Sequence, residues 1–382
     1  MKISGIICEY NPLHNGHLYH ISETRKNGAT HIAAVMSGNF VQRGEPAILD
    51  KFTRAGLAVK CGIDLVIELP VSRCLSSAEG FAAGAVSLLD SLGCVEELSF
   101  GSECGDTEEL KAAGKSVKAA AESEELFRLM KQGDTYPKAL CRLLDDETAE
   151  MISQPNNLLA VEYICAIEKL NGSIKPFTVK RQGASHDSFN TAENFASASY
   201  IRRHPESAKA YMPDICLNAL RNGTADIKRL ESAILYKIRT ASPEEIAGIA
   251  DARTIAERLS GNPASSLDEL FENVKSKNCT MARVKRVIMS LLLGIKREDT
   301  ALPPPYIRVL AFNKKGAEIL GAAKKTAKIP VGTSLAKLSR TSREAERFAH
   351  LEARAGDIYG LARKKITPAG EDYRFSVKMD LE

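Results

Sequence analysis

The sequence predicts an α/β fold, with a doubly wound, Rossmann-like parallel sheet in the N-terminal part and a helical and small α/β C-terminal region. Two observations predict this fold. Between residues 2 and 182, short apolar runs rich in β-branched residues alternate with segments of helical periodicity. The apolar runs are nearly continuous, as expected for strands of a parallel sheet that helices cover on both faces.

Each apolar run is followed by a helical pattern. The predicted strands cover residues 2–9, 31–38, 64–71, 96–102 and 175–182. The predicted helices between and after them cover residues 14–26, 48–62, 77–92, 107–145 and 157–170. In a sheet of this kind, ligands bind at the carboxyl ends of the strands, so the loops that follow the strands are the first place to look for a site.

Beyond about residue 205 the pattern becomes helical, with predicted helices at 215–222, 225–240, 243–259, 267–274 and 279–295. The run Leu-Pro-Pro-Pro at 302–305 is a rigid break. A predicted strand at 306–312 and predicted helices at 314–322 and 340–358 follow it. At 382 residues the chain is longer than one typical core, and we divide it into residues 1–205, 206–300 and 301–382.

The composition predicts an ordinary globular protein of the cytoplasm. Its hydrophobic fraction is 44% and its charged fraction is 26%. The nine cysteines include no C-x-x-C pair, which predicts reduced thiols. Glu9 interrupts the N-terminal apolar run before a signal peptide forms, and no apolar run is long enough to span a membrane.

The net charge of +4 hides an asymmetry between the two halves of the chain. Residues 1–200 carry 19 Lys and Arg against 26 Asp and Glu, a net −7, whereas residues 201–382 carry 33 against 22, a net +11. A basic half favours a polyanionic partner, and RNA above all. The alternative is chance clustering of charge on solvated helices.

The stretch EYNPLHNGHLYH follows the first predicted strand and holds three of the seven histidines. On a helix, His14, His17 and His20 share one face, which permits a zinc site. A zinc ion needs a further ligand, however, and neither an H-E-x-x-H motif nor a cysteine pair supplies one. We therefore predict no metal site.

The residues around His14 and His17 are better suited to binding a phosphate than a zinc ion. The predicted helix begins at about His14, where free backbone N–H groups and the helix dipole favour an anion. Gly16 removes the Cβ that would keep a nucleotide at a distance. The imidazoles of His14 and His17 can donate hydrogen bonds to an α-phosphate as charge develops on it. Two purely structural histidines are the alternative.

A second motif follows the last predicted strand of the sheet. The segment FASASYIRR (195–203) contains Ser197, Ser199, Arg202 and Arg203. It resembles the segment after the last strand of HIGH-type nucleotidyltransferases, and this resemblance implies that its hydroxyls and cations hold the β- and γ-phosphates. By itself the segment is equally compatible with a capped helix that carries surface arginines. The two motifs are informative together, because they occur in this order and on suitable elements.

A strand, a turn and H-x-G-H at a helix start, followed by the second motif, resemble the HIGH-type nucleotidyltransferase superfamily that includes class I aminoacyl-tRNA synthetases. Seven blocks resemble the bacterial tRNA(Met) cytidine acetate ligase family more closely: GIICEYNPLHNGHLYH, VMSGNFVQRGEPAI, DLVIELP, LSFGSE, QPNNLLAVEY, KRQGASHD and FASASYIR. The blocks lie within residues 1–205, and the remainder is similar more diffusely.

The resemblance implies an enzyme that joins ATP and acetate to acetyl-adenylate and releases pyrophosphate. The acetyl group then passes to the exocyclic amine of the wobble cytidine of elongator tRNA(Met), giving N4-acetylcytidine. ATP and Mg2+ are the implied cofactors, with Mg2+ carried by the nucleotide and no dedicated protein ligands. Elongator tRNA(Met), acetate and ATP are the implied partners, and we predict neither a protein partner nor a membrane.

The resemblance also implies roles for the three parts of the chain and for single residues. Residues 1–205 would be the ATP-binding catalytic domain, 206–300 a basic module that contacts RNA, and 301–382 a small α/β module. The implied catalytic residues are His14, His17, Ser197 and Arg202. The implied ATP-binding residues are both histidines with Ile7, Cys8, Glu9, Tyr10, Asn11, Pro12, Leu13, Asn15, Gly16, Leu18, Tyr19, His20, Gly101, Asn156, Asn157, Arg181, Gln182, Ser199 and Arg203. Which of the two asparagines faces the ligand is left open, because both fit a helix start.

The loop MSGNFVQRGEP (36–46) follows the second predicted strand and reaches the same edge of the sheet. Ser37, Gly38 and Asn39 are candidates for an acetate pocket, and Arg43 is a candidate partner of the acetate carboxylate. The alternative is a capped loop with a solvated arginine.

Further candidates lie outside these motifs. In the helix after the loop, Asp50, Lys51 and Arg54 either touch the nucleotide or form an exposed helix face. His186, in GASHD, is a candidate for orienting the RNA or the acyl group.

Clusters of Lys and Arg in the basic half are candidate phosphate contacts. They comprise Arg283, Lys285, Arg286, Lys296, Arg297, KKTAK at 324–328 and ARKK at 362–365. At a helix end, Lys296 and Arg297 are also compatible with stabilising the helix dipole. Two other functions stay open: a small-molecule adenylyltransferase of cofactor metabolism, and a non-catalytic RNA-binding protein with a relic nucleotide fold.

Overall fold

A mostly parallel sheet organises the molecule, as seen in a computed structural model that describes residues 1–132, 134, 136–182, 195–221, 223–276, 279–375 and 377–380. The sheet order is β10-β8-β5-β2-β1-β6-β7, with β9 paired to β8, and β3 and β4 form a separate hairpin. The strands are β1 Ile3–Cys8, β2 His31–Ser37, β3 Phe40–Val41, β4 Glu45–Pro46, β5 Leu65–Leu69, β6 Glu97–Ser102, β7 Lys175–Lys180, β8 Ile307–Asn313, β9 Val331–Gly332 and β10 Lys378–Asp380.

The helices of the first half connect and cover these strands. They are α1 Asn15–Lys26, α2 Lys51–Lys60, α3 Val71–Cys74, α4 Ala78–Leu92, α5 Thr107–Ala121, α6 Glu124–Lys131, α7 Tyr136–Leu143, α8 Asp146–Ser153, α9 Pro155–Lys169 and α10 Ala198–Arg203. The helices predicted around 107–145 are α5, α6 and α7, and Ser123 caps the start of α6.

The second half has only helices before β8, and further helices follow that strand, within the described residues. Its helices are α11 Asp214–Arg221, α12 Glu231–Thr240, α13 Pro243–Ala247, α14 Ala256–Leu259, α15 Leu267–Val274, α16 Met281–Leu293, α17 Arg297–Ala301, α18 Lys314–Thr326, α19 Leu335–Leu338, α20 Arg343–Ala362 and α21 Glu371–Arg374. Short 3-10 segments cover Pro205–Ala210, Ile227–Leu230 and Ala252–Thr254.

Both faces of the sheet are covered, which confirms the predicted doubly wound class. On β2, Ala33 and Val35 pack into one core with residues of α4 and α9. The intervening residues Ile32, Ala34 and Met36 pack into a second core with residues of α1 and α2. Because alternate residues of a strand point to opposite faces, these two cores lie on opposite sides of the sheet.

The C-terminal part adds strands to the same sheet. Strand β8 pairs antiparallel with β5, and β10 pairs parallel with β8. The sequence predicted the strand at 306–312 but not its partner, since a strand's neighbour is not encoded in its own residues. The division into 1–205, 206–300 and 301–382 stays a prediction. The structure adds that the first and third of these parts contribute strands to one sheet.

A buried ionic cluster joins the C-terminal part to the sheet. Lys51 Nζ lies 2.5 Å from both Glu68 Oε1 and Asp372 Oδ1, and Arg308 contacts the same two carboxylates. Glu352 is the fifth member, 4.0 Å from Lys51 Nζ. At 1% exposure, Lys51 neither touches a nucleotide nor forms an exposed helix face, so that expectation was wrong. Its amphipathic helix position did not reveal an ion pair with a residue 321 positions away.

Candidate active site

A cavity of about 270 Å³ opens at the carboxyl edge of the parallel strands. Loops after β1, β2, β6 and β7 line it together with α9 and the start of α10. Its polar and charged lining residues are Glu9, Tyr10, Asn11, His14, His17, Tyr19, His20, Gln42, Arg43, Asn156, Tyr163, Lys180, Arg181, Gln182, Ser197, Ser199 and Arg202. Both sequence motifs therefore meet in one cavity, at the edge that the fold class predicts.

The two histidines of the first motif cap the start of α1 reciprocally. His14 is the N-cap residue, and its Nδ1 accepts a hydrogen bond from Gly16 N at 3.1 Å. His17 Nδ1 accepts one from His14 N at 3.2 Å. The two rings stack with centroids 3.8 Å apart. The H-x-G-H spacing thus builds a capping box out of imidazoles instead of the usual hydroxyl and carboxylate.

The capping box fixes the tautomer of each ring. A ring nitrogen that accepts from a backbone N–H carries no proton, so the proton of each ring must sit on Nε2. Burial, with a smaller contribution from His14, lowers the pKa of His17 well below its ordinary value. His14 and His17 therefore offer Nε2–H groups as hydrogen-bond donors, with His17 neutral at physiological pH.

The backbone amides at this helix start are not available for an anion, contrary to our expectation. Asn15 N donates to Tyr211 O at 2.8 Å, and Gly16 N is bonded to His14. His17 N donates to His14 O at 2.8 Å. Any phosphate held here is bound by the imidazole Nε2–H groups and the dipole, because the protein has already satisfied these N–H groups.

Gly16 is required for a different reason from the one expected. A Cβ at this position would lie 2.9 Å from His14 Cε1 and 3.1 Å from His14 Nδ1. Real Cβ atoms do not approach that closely, so a side chain at this position would push the His14 ring out of its capping position. The glycine makes room for the histidine cap itself.

His20 lies one turn further along α1 and is anchored to β6. Its Nε2 is 2.9 Å from Ser99 Oγ, which is 2.7 Å from Thr24 Oγ1. Because Thr24 Oγ1 donates to His20 O at 2.8 Å, Ser99 donates to Thr24 and His20 Nε2 donates to Ser99. Burial and then Arg181 lower the pKa of His20 to about 4, so this ring is neutral as well.

The second motif lines the same cavity as the histidines. Ser197 caps α10 by accepting from Tyr200 N at 3.1 Å, and its Oγ lies 3.1 Å from Ser199 Oγ. Arg202 Nη1 donates to Asn11 O at 2.6 Å, which ties α10 to the loop after β1. Two hydroxyls and one guanidinium are thus held beside the histidine pair, whereas Arg203 does not line the cavity.

The end of β6 and the loop after β7 form another part of the cavity wall. Gly101 and Arg181 line it, and a Cβ on Gly101 would have only ordinary contacts, the nearest at 3.5 Å to Arg181 Cγ. Asn156 lines the cavity, while Asn157 is 2% exposed and does not. The Asn157 Oδ1 accepts from Glu103 N and Cys104 N and so holds the loop. Between the two asparagines, the geometry therefore favours Asn156 as a ligand contact.

The loop after β2 reaches the cavity only at its tip. Arg43 lines the cavity with Gln42, but Ser37, Gly38 and Asn39 do not. The Asn39 Oδ1 accepts from Lys51 N at 2.9 Å and so acts within the loop. An acetate pocket built on residues 37–39 is thus not supported by the geometry, because these residues are turned into the protein.

Arg54 holds the loops after β1 and β2 together. It is 1% exposed, and its guanidinium donates to the carbonyls of Glu9 at 2.5 Å, of Ser37 at 3.1 Å and of Gly38. It therefore neither contacts the cavity nor forms an exposed face, contrary to our expectation. Asp50 has a local role as well, because it caps α2 by accepting from Thr53 N at 2.8 Å.

Several residues of the first motif serve the loop and not the cavity wall. Pro12, Leu13, Asn15 and Leu18 do not line the cavity. Leu13 is 3% exposed and packs into the core beside α1 and α2. The sequence missed a mostly apolar part of the lining, namely Ile6, Val41, Phe81, Phe100, Leu159, Tyr163, Val179, Lys180, Phe195, Ala196 and Ala198. Their apolar character gives no signal that distinguishes a cavity wall from a core.

The cations of α16 take part in contacts within the protein. Lys285 forms an ion pair with Glu45 of the β3–β4 hairpin. Arg283 donates to Asp251 O at 2.9 Å, and Arg286 Nη2 lies 3.9 Å from Asp251 Oδ2. These three residues are therefore weaker candidates for phosphate contacts than the sequence suggested, because ion pairs across elements cannot be read from a charge run.

The described residues contain neither a metal-binding cluster nor a membrane-spanning helix. Within the described ranges, no group of three or more His, Cys, Asp or Glu side chains is arranged to hold a metal ion. His186 lies outside the described residues. No helix in the described part of the chain combines the length and apolar character needed to cross a membrane.

The fold and the site together define a class. A histidine pair at the helix start after β1, sharing a cavity at the strand ends with a Ser/Arg helix, is the arrangement of a nucleotidyltransferase. The family model for the HIGH Nucleotidyl Transferase family matches residues 1–373.

Full-length comparisons narrow the class. The chain is 38% identical to the tRNA(Met) cytidine acetate ligase of Thermoanaerobacter sp. (strain X514) over 395 residues, covering 98% of each chain. It is 36% identical to that of Clostridium perfringens (strain ATCC 13124) over 404 residues, covering 98% of this chain and 99% of the relative. The chain belongs to the tRNA(Met) cytidine acetate ligase family.

Solved structures agree with this assignment. The crystal structure of Thermotoga maritima TmcAL bound with alpha-thio ATP matches with a TM-score of 0.91 at 29% identity. Its apo form matches with a TM-score of 0.92 at the same identity. Each match covers 99% of this chain and 100% of the other.

Proposed function

We propose that this protein is an ATP-dependent ligase that forms acetyl-adenylate and acetylates the exocyclic amine of the wobble cytidine of elongator tRNA(Met), giving N4-acetylcytidine. The observation that carries this proposal is the reciprocal capping of His14 and His17, which presents two Nε2–H donors to the same cavity as Ser197 and Arg202. Similarity over nearly the full length to tRNA(Met) cytidine acetate ligases supports the choice of acid and acceptor.

In the first step an acetate oxygen attacks the α-phosphorus of ATP, and pyrophosphate leaves with its bonding electrons. We assign the adenosine to Gly101, Asn156 and Arg181, and the α-phosphate to the histidine pair, because all of these residues line the same cavity. His14 and His17 donate to the α-phosphate oxygens as negative charge builds up there. Such preorganised donors lower the barrier because they need no reorientation during the reaction.

The leaving pyrophosphate is assigned to the start of α10. Ser197, Ser199 and Arg202 are the hydroxyls and the cation at this end of the cavity. Arg43 is the guanidinium on the β2 side and is proposed to pair with the acetate carboxylate. Arginine suits both tasks because its planar fork matches carboxylate and phosphate oxygens.

Mg2+ is proposed to arrive with ATP. Among the described lining residues Glu9 is the only carboxylate, which is too few for a protein-built site and fits an ion held mainly by phosphate oxygens. When bound, the ion would neutralise charge on the departing pyrophosphate. The nine free cysteines support a cytoplasmic location, because thiols stay reduced there.

A surface for the tRNA lies next to the cavity rim. Asn11, which lines the cavity, accepts through Oδ1 from Ile48 N at 2.7 Å. Ile48 O accepts in turn from Ala225 N at 3.0 Å, and Ala225 forms a β-bridge with Arg363. This short series of contacts connects the cavity to the segment after α20, so a nucleic acid bound to that segment is close to the site.

The cations of this surface are exposed. Lys228, Lys364 and Lys365 are exposed, and no ion pair to them occurs within the described residues. Lys324 is exposed as well, but it lies near the end of α18, where Lys328 pairs with Asp90 at 2.7 Å. Since Asp90 belongs to the end of α4, Lys324 lies at the amino edge of the sheet, away from the cavity. We therefore assign phosphate contacts to residues 364 and 365.

The proposal is tested by incubating the purified protein with ATP, Mg2+, radiolabelled acetate and an elongator tRNA(Met) transcript. Label is expected in the tRNA only when ATP is present. Acetate-dependent exchange of pyrophosphate into ATP without labelled tRNA would place the acceptor elsewhere. Label in a dinucleotide-like product made without RNA would favour a small-molecule adenylyltransferase.

A further inference from the structure

Glu9 places a carboxylate in a cavity that is proposed to bind anions. It follows β1 directly and is the only acid among the described residues that line the cavity, which also include four Lys and Arg side chains. A carboxylate repels both phosphates and acetate, so a wall that served these anions alone would be better without it. The charges of Arg54, Arg202 and Arg43 offset part of this repulsion. A carboxylate at this position can also accept a proton from a substrate, and neither acetate nor a phosphate supplies one.

The carboxyl group is held in a fixed orientation. Glu9 Oε1 accepts from Gln42 N at 2.7 Å, and Glu9 O accepts from Arg54 Nη1 at 2.5 Å. Within the described part of the chain, Oε2 has no hydrogen-bond donor. One carboxyl oxygen is thus anchored to the hairpin loop after β2, and the other is left for a ligand.

Glu9 is anchored on the β2 side of β1, away from the proposed adenosine contacts. Strand β1 lies between β2 on one side and β6 with β7 on the other. The proposed adenosine contact Gly101 lies near the end of β6 and Arg181 follows β7, whereas the anchor of Glu9 follows β2. The β2 side is the part of the cavity left for the acid and for the incoming amine.

The other titratable groups in the cavity are poorer proton acceptors. The Nδ1 atoms of His14 and His17 are occupied by backbone N–H groups, and their Nε2 atoms carry protons. His20 Nε2 donates to Ser99, and the pKa of this ring is about 4. Burial raises the pKa of Glu9, although the hydrogen bond from Gln42 and the charges of Arg54, Arg202 and Arg43 oppose the shift. A raised carboxylate pKa makes a stronger base.

We propose that Glu9 Oε2 accepts the proton that the cytidine exocyclic amine loses when it attacks the acetyl carbonyl. In this step the amine nitrogen bonds to the carbonyl carbon, the bond from that carbon to the phosphate oxygen breaks, and AMP leaves with the electron pair. One N–H proton passes to the Glu9 carboxylate. The amine needs such help because its lone pair is delocalised into the pyrimidine ring. The inference rests on the proposed function and assigns to it a base for the second step.

The test measures adenylate formation and acetyl transfer separately in the variant Glu9→Gln. The first step is measured as acetate-dependent exchange of labelled pyrophosphate into ATP, and the second as single-turnover transfer of labelled acetate to elongator tRNA(Met). We expect transfer to fall by about 10²- to 10⁴-fold, the range typical of general-base catalysis, and exchange to fall by less than about tenfold. Equal losses in both steps, or no loss in transfer, would overturn the proposal.

A pH profile gives a readout that a structural role would not change. Transfer by the wild type is expected to fall as the pH drops and Glu9 becomes protonated, whereas residual transfer by Glu9→Gln should lack this limb. Glu9→Asp keeps a carboxylate and is expected to recover part of the transfer rate. If Glu9→Gln does not fold, the proposal is tested by the pH profile of the wild type and by the transfer rate of Glu9→Asp. A wild-type transfer rate that does not fall at acidic pH overturns the proposal.

A matched control makes the same chemical change nearby. Glu45 lies in β4, the second strand of the hairpin whose Gln42 anchors Glu9, pairs with Lys285 and does not line the cavity. Its charge also acts on Arg202, as that of Glu9 does, so the variant controls for the loss of a nearby negative charge. Glu45→Gln is expected to leave the ratio of the two step rates within about threefold of the wild type. If the wild type itself shows no acetate-dependent exchange and no transfer, the proposed function fails, and that outcome is distinct from a failure of the role of Glu9.

Discussion

Replacing His14 separates the two tasks that the structure gives to this side chain. As the N-cap of α1, His14 accepts through Nδ1 from Gly16 N, and as a cavity residue it offers a proton on Nε2. Asparagine is among the best N-cap residues, because its side-chain oxygen accepts the same backbone hydrogen bond. It has no group in the place of Nε2. His14→Asn should therefore keep the helix start and lose the phosphate donor, whereas His14→Ala should lose both.

The magnitudes follow from these two contacts. Loss of the cap in His14→Ala should lower the free energy of unfolding by about 1 kcal/mol, while His14→Asn should stay within a few tenths. Loss of one preorganised donor to the developing charge should reduce acetate-dependent ATP–pyrophosphate exchange by about 10²- to 10³-fold in both variants. Urea denaturation and the exchange assay measure the two effects separately. Exchange by His14→Asn close to the wild-type rate would refute the donor role, and a stability as low as that of His14→Ala would refute the cap role.

Four further predictions concern other parts of the molecule. Gly101→Val should raise the KM for ATP at least tenfold in a steady-state assay with little change in stability, since a Cβ there has its nearest contact at an ordinary 3.5 Å; an unchanged KM would contradict the adenosine placement. Lys51→Met should cost about 3–5 kcal/mol in urea denaturation, because it leaves three buried carboxylates with one cation; a loss below about 1 kcal/mol would mean that the cluster contributes little. Burial, followed by Glu68, raises the pKa of Glu352 well above 4.5, so the wild type should lose stability as the pH rises from that value towards the folded-state pKa. Glu352→Gln should be more stable than the wild type at neutral pH and lose this advantage near pH 4, and a pH-independent difference in urea midpoints would argue against it. Lys364→Ala should weaken tRNA binding and reduce its salt slope by about 1, whereas Lys324→Ala should not, and equal effects in a filter-binding titration would refute the choice of surface.

The sequence predicted the central sheet well because buried parallel strands have a strong signature. The runs that became β1, β2, β5, β6 and β7 are apolar, short and separated by helical patterns, and both faces of the sheet are covered as expected. The β3–β4 hairpin was missed, since strands of two residues each carry no periodicity. The antiparallel pairing of β8 with β5 was missed because it depends on contacts between distant parts of the chain.

The candidate site could be predicted as a set of residues but not in its detail. The positions of His14, His17, Ser197 and Arg202 around one cavity agree with the two motifs. The sequence does not reveal which polar atoms form hydrogen bonds within the protein and are therefore unavailable to a ligand. Thus the backbone amides at the start of α1 are satisfied internally, and Arg54 binds backbone carbonyls instead of a ligand.

The charged residues show the same limit. Lysines and arginines in a charge run look alike in a sequence, but Lys285 is paired across elements whereas Lys364 is exposed. Only the three-dimensional arrangement distinguishes a cation that stabilises the fold from one that can meet a phosphate. The structure therefore moves the proposed RNA surface from α16 to the segment after α20.

The most direct test of the account is mass spectrometry of nucleosides from total bacterial tRNA incubated with the purified protein, ATP, Mg2+ and isotopically labelled acetate. The account predicts labelled N4-acetylcytidine that is absent when His17→Ala replaces the wild type. Unlabelled nucleosides despite consumption of ATP, or labelled N4-acetylcytidine made equally well by His17→Ala, would contradict it.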